Sequence, residues 1–182
     1  MKLAIFSGST REGSINRKLE RALVPLLEFE GFEVTVLSLT DYPMPIYDGD
    51  FEAENGAPQA AQDLAGVLAE QDAVMVVTPE YNGGLPPLLK NTIDWMTRVG
   101  DMSQYHNPVW AIASCTPGPM SGIMVMRQVQ YILTRIGTQV LQFQLGVGNA
   151  GTAFEDDGSF ADSRTQDRAK SVIEKLAART AK

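Results

Sequence analysis

Two stretches of this chain gather the residue types that hold ligands rather than build core. The first is Gly8-Ser9-Thr10-Arg11-Glu12-Gly13-Ser14-Ile15-Asn16. Ser9, Ser14 and Asn16 bring small neutral donors, and Arg11 brings a fixed charge that forks onto phosphate oxygens. The second is Thr78-Pro79-Glu80-Tyr81-Asn82-Gly83-Gly84-Leu85-Pro86-Pro87. Its glycines let backbone approach a ligand closely, and its prolines stiffen the segment around them. Tyr81 offers a flat apolar face, with Glu80 and Asn82 polar beside it. An anion cradle and a holder for a planar heteroaromatic ring are the chemistries these inventories suit.

The elements around them must put the two stretches together. Lys2 to Ser7 reads as a short apolar strand, and Ile15, Leu19, Ala22, Leu23, Leu26 and Leu27 form one helical stripe after it. The first stretch therefore feeds a helix N-terminus, where unpaired N–H groups and the helix dipole favour an anion. The spacing Gly8-x4-Gly13 is that of a nucleotide-binding P-loop, but Ser14 stands where that loop needs lysine. A terminal monophosphate fits better than a triphosphate. Ala73 to Val77 is apolar without alternation, as in a parallel strand buried on both faces, so the second stretch lies at a strand's carboxyl end.

Further strands are expected at Glu33–Ser38, Pro108–Ser114 and Gln139–Leu145. Helical stripes run through Ala60–Leu68, Leu88–Thr97, Met126–Ile136 and Ala169–Ala177, while 41–57 and 146–158 read as loops. Five strands alternating with five helices predict one three-layer, doubly wound α/β domain over 1–182. The flavodoxin-like order 2-1-3-4-5 of a five-stranded parallel sheet sets the ligand crevice between strands one and three. Both stretches leave those strands.

With 44% hydrophobic and 20% charged residues the composition is that of an ordinary globular domain. A net charge of −7 opposes a nucleic-acid partner. No apolar run approaches the ~20 residues of a membrane span, and the N-terminus does not read as a secretory signal. A single cysteine and a single histidine argue against a disulfide and a Cys/His zinc site, and fit a reducing cytoplasm.

Together the two stretches resemble the NAD(P)H-dependent FMN reductases, relatives of which reduce quinones, chromate and azo dyes. The family pattern G-S-x-R-x-x-S-x-N is matched by Gly8 through Asn16, and T-P-E-Y-N-G-x-x-P-x-x-L-K-N-x-I-D-W by Thr78 through Trp95. The resemblance implies that Ser9, Arg11, Ser14, Ile15 and Asn16 hold the FMN phosphate. It likewise implies that Pro79, Glu80, Tyr81, Asn82 and Gly83 wrap the isoalloxazine. The family's third loop carries Ser-Pro-Gly and then a glycine pair. Here Ser114 to Gly122 keeps Pro117-Gly118 but interrupts the pair, and Gly118 is the one ligand residue expected from it.

The family chemistry is a hydride from NAD(P)H to FMN, then electrons to a quinone, flavin, azo compound or metal oxyanion in ping-pong order. A homodimer or tetramer is implied as well. The competing reading is an electron carrier that meets a protein partner, but the carriers' T-x-T-G-x-T phosphate loop is missing. Cys115 with His106 would suit a hydrolase, yet they flank one strand and are expected at its opposite ends. Asp156 and Asp157 read as solvated loop residues rather than a metal pair.

Overall fold

The computed structural model describes residues 1–181. Its parallel sheet runs β2-β1-β3-β4-β5, from β1 (Lys2–Ser7), β2 (Glu33–Ser38), β3 (Ala73–Val77), β4 (Val109–Cys115) and β5 (Gln139–Val140). The helices among the described residues are α1 (Ile15–Phe29), α2 (Gly49–Asn55), α3 (Gln59–Ala69), α4 (Pro87–Met96), α5 (Ser103–His106), α6 (Ile123–Arg135) and α7 (Ser163–Thr180).

Side-chain alternation along the strands divides the core in two. Leu3 and Ile5 of β1 point to the layer of α1 and α7, among Leu19, Leu23, Leu27, Ile173 and Leu176. Ala4 and Phe6 point to the other, among Leu64 and Leu68 of α3, Ile93 of α4 and Val129 of α6. All of β3 and β4 is buried, because helices cover both faces there.

The structure adds the short α5 to the expected elements and departs from the sequence reading at the fifth strand and in the segment 41–57. The fifth strand is not continuous over Gln139–Leu145. It breaks into β5 and β6 (Leu145–Val147), both of which pair with β4. Val109 aligns with Gln139 but Ala113 with Leu145, so the offset grows from 30 to 32 and two extra residues bulge out between. Gln142 and Phe143 are exposed in that bulge. Second, the segment 41–57 is not all loop. Asp48 caps α2 by accepting from the Asp50 and Phe51 N–H groups. The α2 region is pinned to α4: Trp95 Nε1 and Asn91 Nδ2 both donate to Pro45 O, and Tyr47 and Phe51 stand edge-on to the Trp95 ring. Arg98 is paired with Glu52 at 2.6 Å.

Glu20 in α1 is a buried acid whose Oε2 has no partner among the described residues. Burial pushes its carboxyl up to about 7, against the opposing pull of Arg17 and Arg21. Between the ordinary value and 7 the folded state therefore holds the extra proton. Its contribution to stability is complete below about pH 4.5 and is lost as pH rises through 7. Glu20→Gln is expected to stabilise the fold at pH 8 by on the order of 1–3 kcal/mol and to change it little at pH 4.5. Urea midpoints at the two pH values check this, and an equal shift at both would contradict it.

Candidate functional site

One cavity of about 290 Å³ lies at the carboxyl edge of the sheet, bounded by the segments that follow β1, β3 and β4. Its first wall is the turn entering α1. Ser14 is the N-cap, and its Oγ accepts from the Asn16 N–H at 3.2 Å. Ser9 is buried, with its Oγ accepting from the Arg11 N–H at 3.4 Å. Both hydroxyls keep a proton to donate. Arg11 is exposed at the cavity, and among the described residues no carboxylate lies within ion-pair distance of its guanidinium. Hydroxyls, guanidinium and the positive end of a 15-residue helix converge on one spot.

Asn16 has a structural task at this turn as well. The side chain is fully buried, its Nδ2 donating to Cys115 O at 2.9 Å and its Oδ1 accepting from the Cys115 N–H at 2.8 Å. Satisfying both backbone groups of one residue ties the α1 entry to the end of β4. Asn16 thus ties two cavity walls together while lining the cavity itself, with one of its two Nδ2 N–H groups committed to Cys115 O.

The second wall follows β3. Tyr81 and Gly84 exchange two backbone hydrogen bonds, at 3.1 and 2.9 Å, across Asn82 and Gly83. Those two residues have φ of 52° and 74°, which defines a tight type I′ turn. The turn is braced from α6. Gln128 donates to Gly83 O at 3.0 Å and accepts from the Leu85 N–H at 3.1 Å. Glu80 accepts from the Val125 N–H in the first turn of α6, where the helix dipole favours a carboxylate. With Glu80 engaged, Tyr81 is left 45% exposed beside the cavity.

The third wall is Cys115, Thr116 and Pro117. Beyond it Ser121 and Gly122 have φ of 57° and 74°, so the loop makes two successive left-handed residues although the first is a serine. Met120 is exposed at its tip. The Cys115 thiol is pushed up to about 12 by burial. Its thiolate fraction at pH 7 is therefore on the order of 10⁻⁵, and it is no nucleophile. His106 lies at the opposite end of β4. Cys115→Ala is expected to leave turnover within about twofold, since its backbone and not its sulfur makes the contacts. A steady-state assay checks this, and a tenfold loss would mean that the thiol takes part.

Of the expected ligand residues, Ser9, Arg11, Ser14, Ile15, Asn16, Pro79, Glu80 and Tyr81 line this cavity. Asn82 and Gly83 do not line it and form the tip of the turn above. Gly118 is outside it and exposed, its carbonyl accepting from the Thr116 hydroxyl and the Asn149 N–H. Sequence reasoning misses Cys115, Thr116 and Pro117 as wall residues, although it places the third loop at this edge. Nothing in the helical pattern around Gln128 marks it as a brace. Asp157 accepts from the Ser159 N–H and shapes its own loop. Among the described residues there is no group of three metal-ligating side chains, and no helix is long and apolar enough to cross a membrane.

A parallel doubly wound sheet of this strand order, with an anion cradle beside a rigid turn at its carboxyl edge, defines a protein of the flavodoxin-like class. Residues 1–152 match the family model for NADPH-dependent FMN reductases. A quinone reductase of Pseudomonas putida is 32% identical over 161 residues, covering 88% of this chain and 84% of its own. One of Escherichia coli is 34% identical over 142 residues, 78% of this chain and 73% of its own. Among solved structures FerB, a flavoenzyme NAD(P)H:(acceptor) oxidoreductase from Paracoccus denitrificans, superimposes with a TM-score of 0.85. That pair is 27% identical over 99% of this chain and 97% of the other. The chain belongs to the NADPH-dependent FMN reductase family. It is an oxidoreductase with FMN as its cofactor and NAD(P)H as its reductant.

Proposed function

We propose that this enzyme passes electrons from NAD(P)H to a small acceptor of the quinone class, with free flavins, azo compounds and metal oxyanions as further acceptors, in ping-pong order. The observation that carries the reading is one cavity in which an anion cradle and a flat apolar wall meet. FMN has the matching ends, a phosphate and a planar ring. When bound it supplies the two-electron redox chemistry that the side chains lack.

Ser9, Arg11, Ser14, Asn16 and the amide of Ile15 hold the phosphate. Pro79, Tyr81 and Pro117 form the apolar wall along the ring, and the Asn82–Gly83 turn supplies backbone N–H groups toward its polar edge. Donors there favour the negative charge that develops on reduction. Glu80 and Gln128 keep the turn rigid, so little reorganisation accompanies the change in charge. One open mouth serves reductant and acceptor in succession, which favours alternation over a ternary complex. We further propose a homodimer or tetramer, working in the cytoplasm.

Initial rates of NADPH oxidation, at several fixed concentrations of benzoquinone, test this. The reading expects fast, quinone-dependent oxidation and parallel double-reciprocal lines. Slow oxidation that ignores the quinone would instead favour an electron carrier.

A further inference from the structure

A second cavity, of about 270 Å³, opens at the same edge of the sheet between α1 and the ends of β1 and β2, and shares no residue with the site above. Ser7 closes β1 on the α1 side, in the same parity as Leu3 and Ile5, and Glu20 faces it from α1. Both are more than nine-tenths buried, at 4% and 7% exposure. Neither Ser7 Oγ nor Glu20 Oε2 has a hydrogen-bond partner among the described residues. Two orphaned polar atoms in one small cavity are costly unless something else satisfies them.

The rest of the lining says what that is. Arg17 and Arg21 stand on α1 one turn apart, and both fields reach Glu20. Arg17 Nη2 donates to Ser38 Oγ at 3.2 Å, which leaves its other N–H groups for a ligand. Asp41 is the one acid opposing them besides Glu20 among the described lining residues. We propose that this notch is a second anion site, formed for the tetrahedral oxygens of a phosphate monoester or inorganic phosphate. Arg17 and Arg21 supply the charge, and the Ser7 hydroxyl and a neutral Glu20 carboxyl donate from the floor. A carboxylate there would repel an anion, but a carboxyl that titrates near 7 takes its neutral, donating form readily at neutral pH.

Two sources carry this chemistry, the 2′-phosphate of NADPH and free inorganic phosphate. The first rests on the reductase reading above, whereas the second does not. The experiment uses FMN-loaded enzyme, so that the phosphate loop is already filled. It compares wild type with Arg17→Gln/Arg21→Gln, with Ser7→Ala, and with Arg127→Gln/Arg135→Gln on the exposed side of α6 as a charge control.

If NADPH is the occupant, the first variant raises KM for NADPH about tenfold or more while KM for NADH and kcat stay level. Ser7→Ala shifts KM for NADPH in the same direction by less, and the control shifts nothing. If inorganic phosphate is the occupant, titration calorimetry shows it binding to wild type and lost in the first variant, with both KM values unmoved. The site is refuted if phosphate gives no binding heat and KM for NADPH is unchanged, or if the α6 control shifts KM as much. The notch then holds water only. Should the protein oxidise neither nucleotide, the reductase reading fails, yet the phosphate titration still decides this site.

Discussion

Gly122→Ala is expected to cost about 3–5 kcal/mol of folding stability and to weaken FMN binding with it. A Cβ at this position would lie 2.0 Å from Ser114 Oγ and 2.6 Å from Ser114 Cβ. The neighbour has nowhere to go. Ser114 is fully buried, and its hydroxyl donates to Thr78 O at 2.7 Å, at the root of the ring-facing turn. The backbone φ of 74° adds its own penalty for any residue with a Cβ. Relief has to come from moving the start of α6, which carries the Val125 N–H held by Glu80 and the Gln128 brace. Loss of stability and loss of cofactor are therefore coupled. Gly118→Ala is the control, because nothing lies within 4 Å of the place its methyl group would occupy. It should stay within about 1 kcal/mol of wild type by urea denaturation. Equal shifts for the two variants would show that the close contact at Gly122 is not what constrains this loop.

Arg11→Ala should raise the Kd for FMN about a hundredfold, on the order of 2–3 kcal/mol, while riboflavin binding changes little. Among the described residues the guanidinium is the one cationic side chain lining the cavity, beside the hydroxyls of Ser9 and Ser14. Charge-assisted bonds to a phosphate are the strong ones in such a set, whereas the α1 dipole and the hydroxyls survive the substitution. Arg11→Lys returns charge without the planar fork, so it recovers part of the affinity. Riboflavin lacks the phosphate and separates this effect from damage to the ring wall. Quenching of flavin fluorescence reads both affinities. If the two ligands weaken equally, Arg11 is shaping the loop rather than meeting the phosphate.

Much of this is legible in the residues because local pattern and global position agree. The unbroken apolar run Ala73–Val77 reads as a strand covered on both faces, and all of it is buried. Ser14 before the stripe beginning at Ile15 marks both the helix cap and the anion cradle. Where the sequence misleads, long-range partners decide. The resemblance puts Asn16 among the ligand residues, but nothing in its neighbours shows that it also pairs with Cys115, 99 residues away. The helix at Gly49–Asn55 hides among acids and glycines because its stability comes from Tyr47 and Phe51 packing on Trp95. The break in the fifth strand depends on two residues too many for the register of β4, a quantity that periodicity does not carry.

The enzyme's spectrum, followed through an anaerobic titration with NADPH, bears most directly on the claim that two adjacent walls grip a phosphate and a flat ring. The purified protein should be yellow or turn yellow on adding FMN, bind about one FMN per chain, and bleach fully with about one equivalent of NADPH per flavin. A preparation that stays colourless with FMN present, or whose bound colour NADPH leaves untouched, would contradict the account.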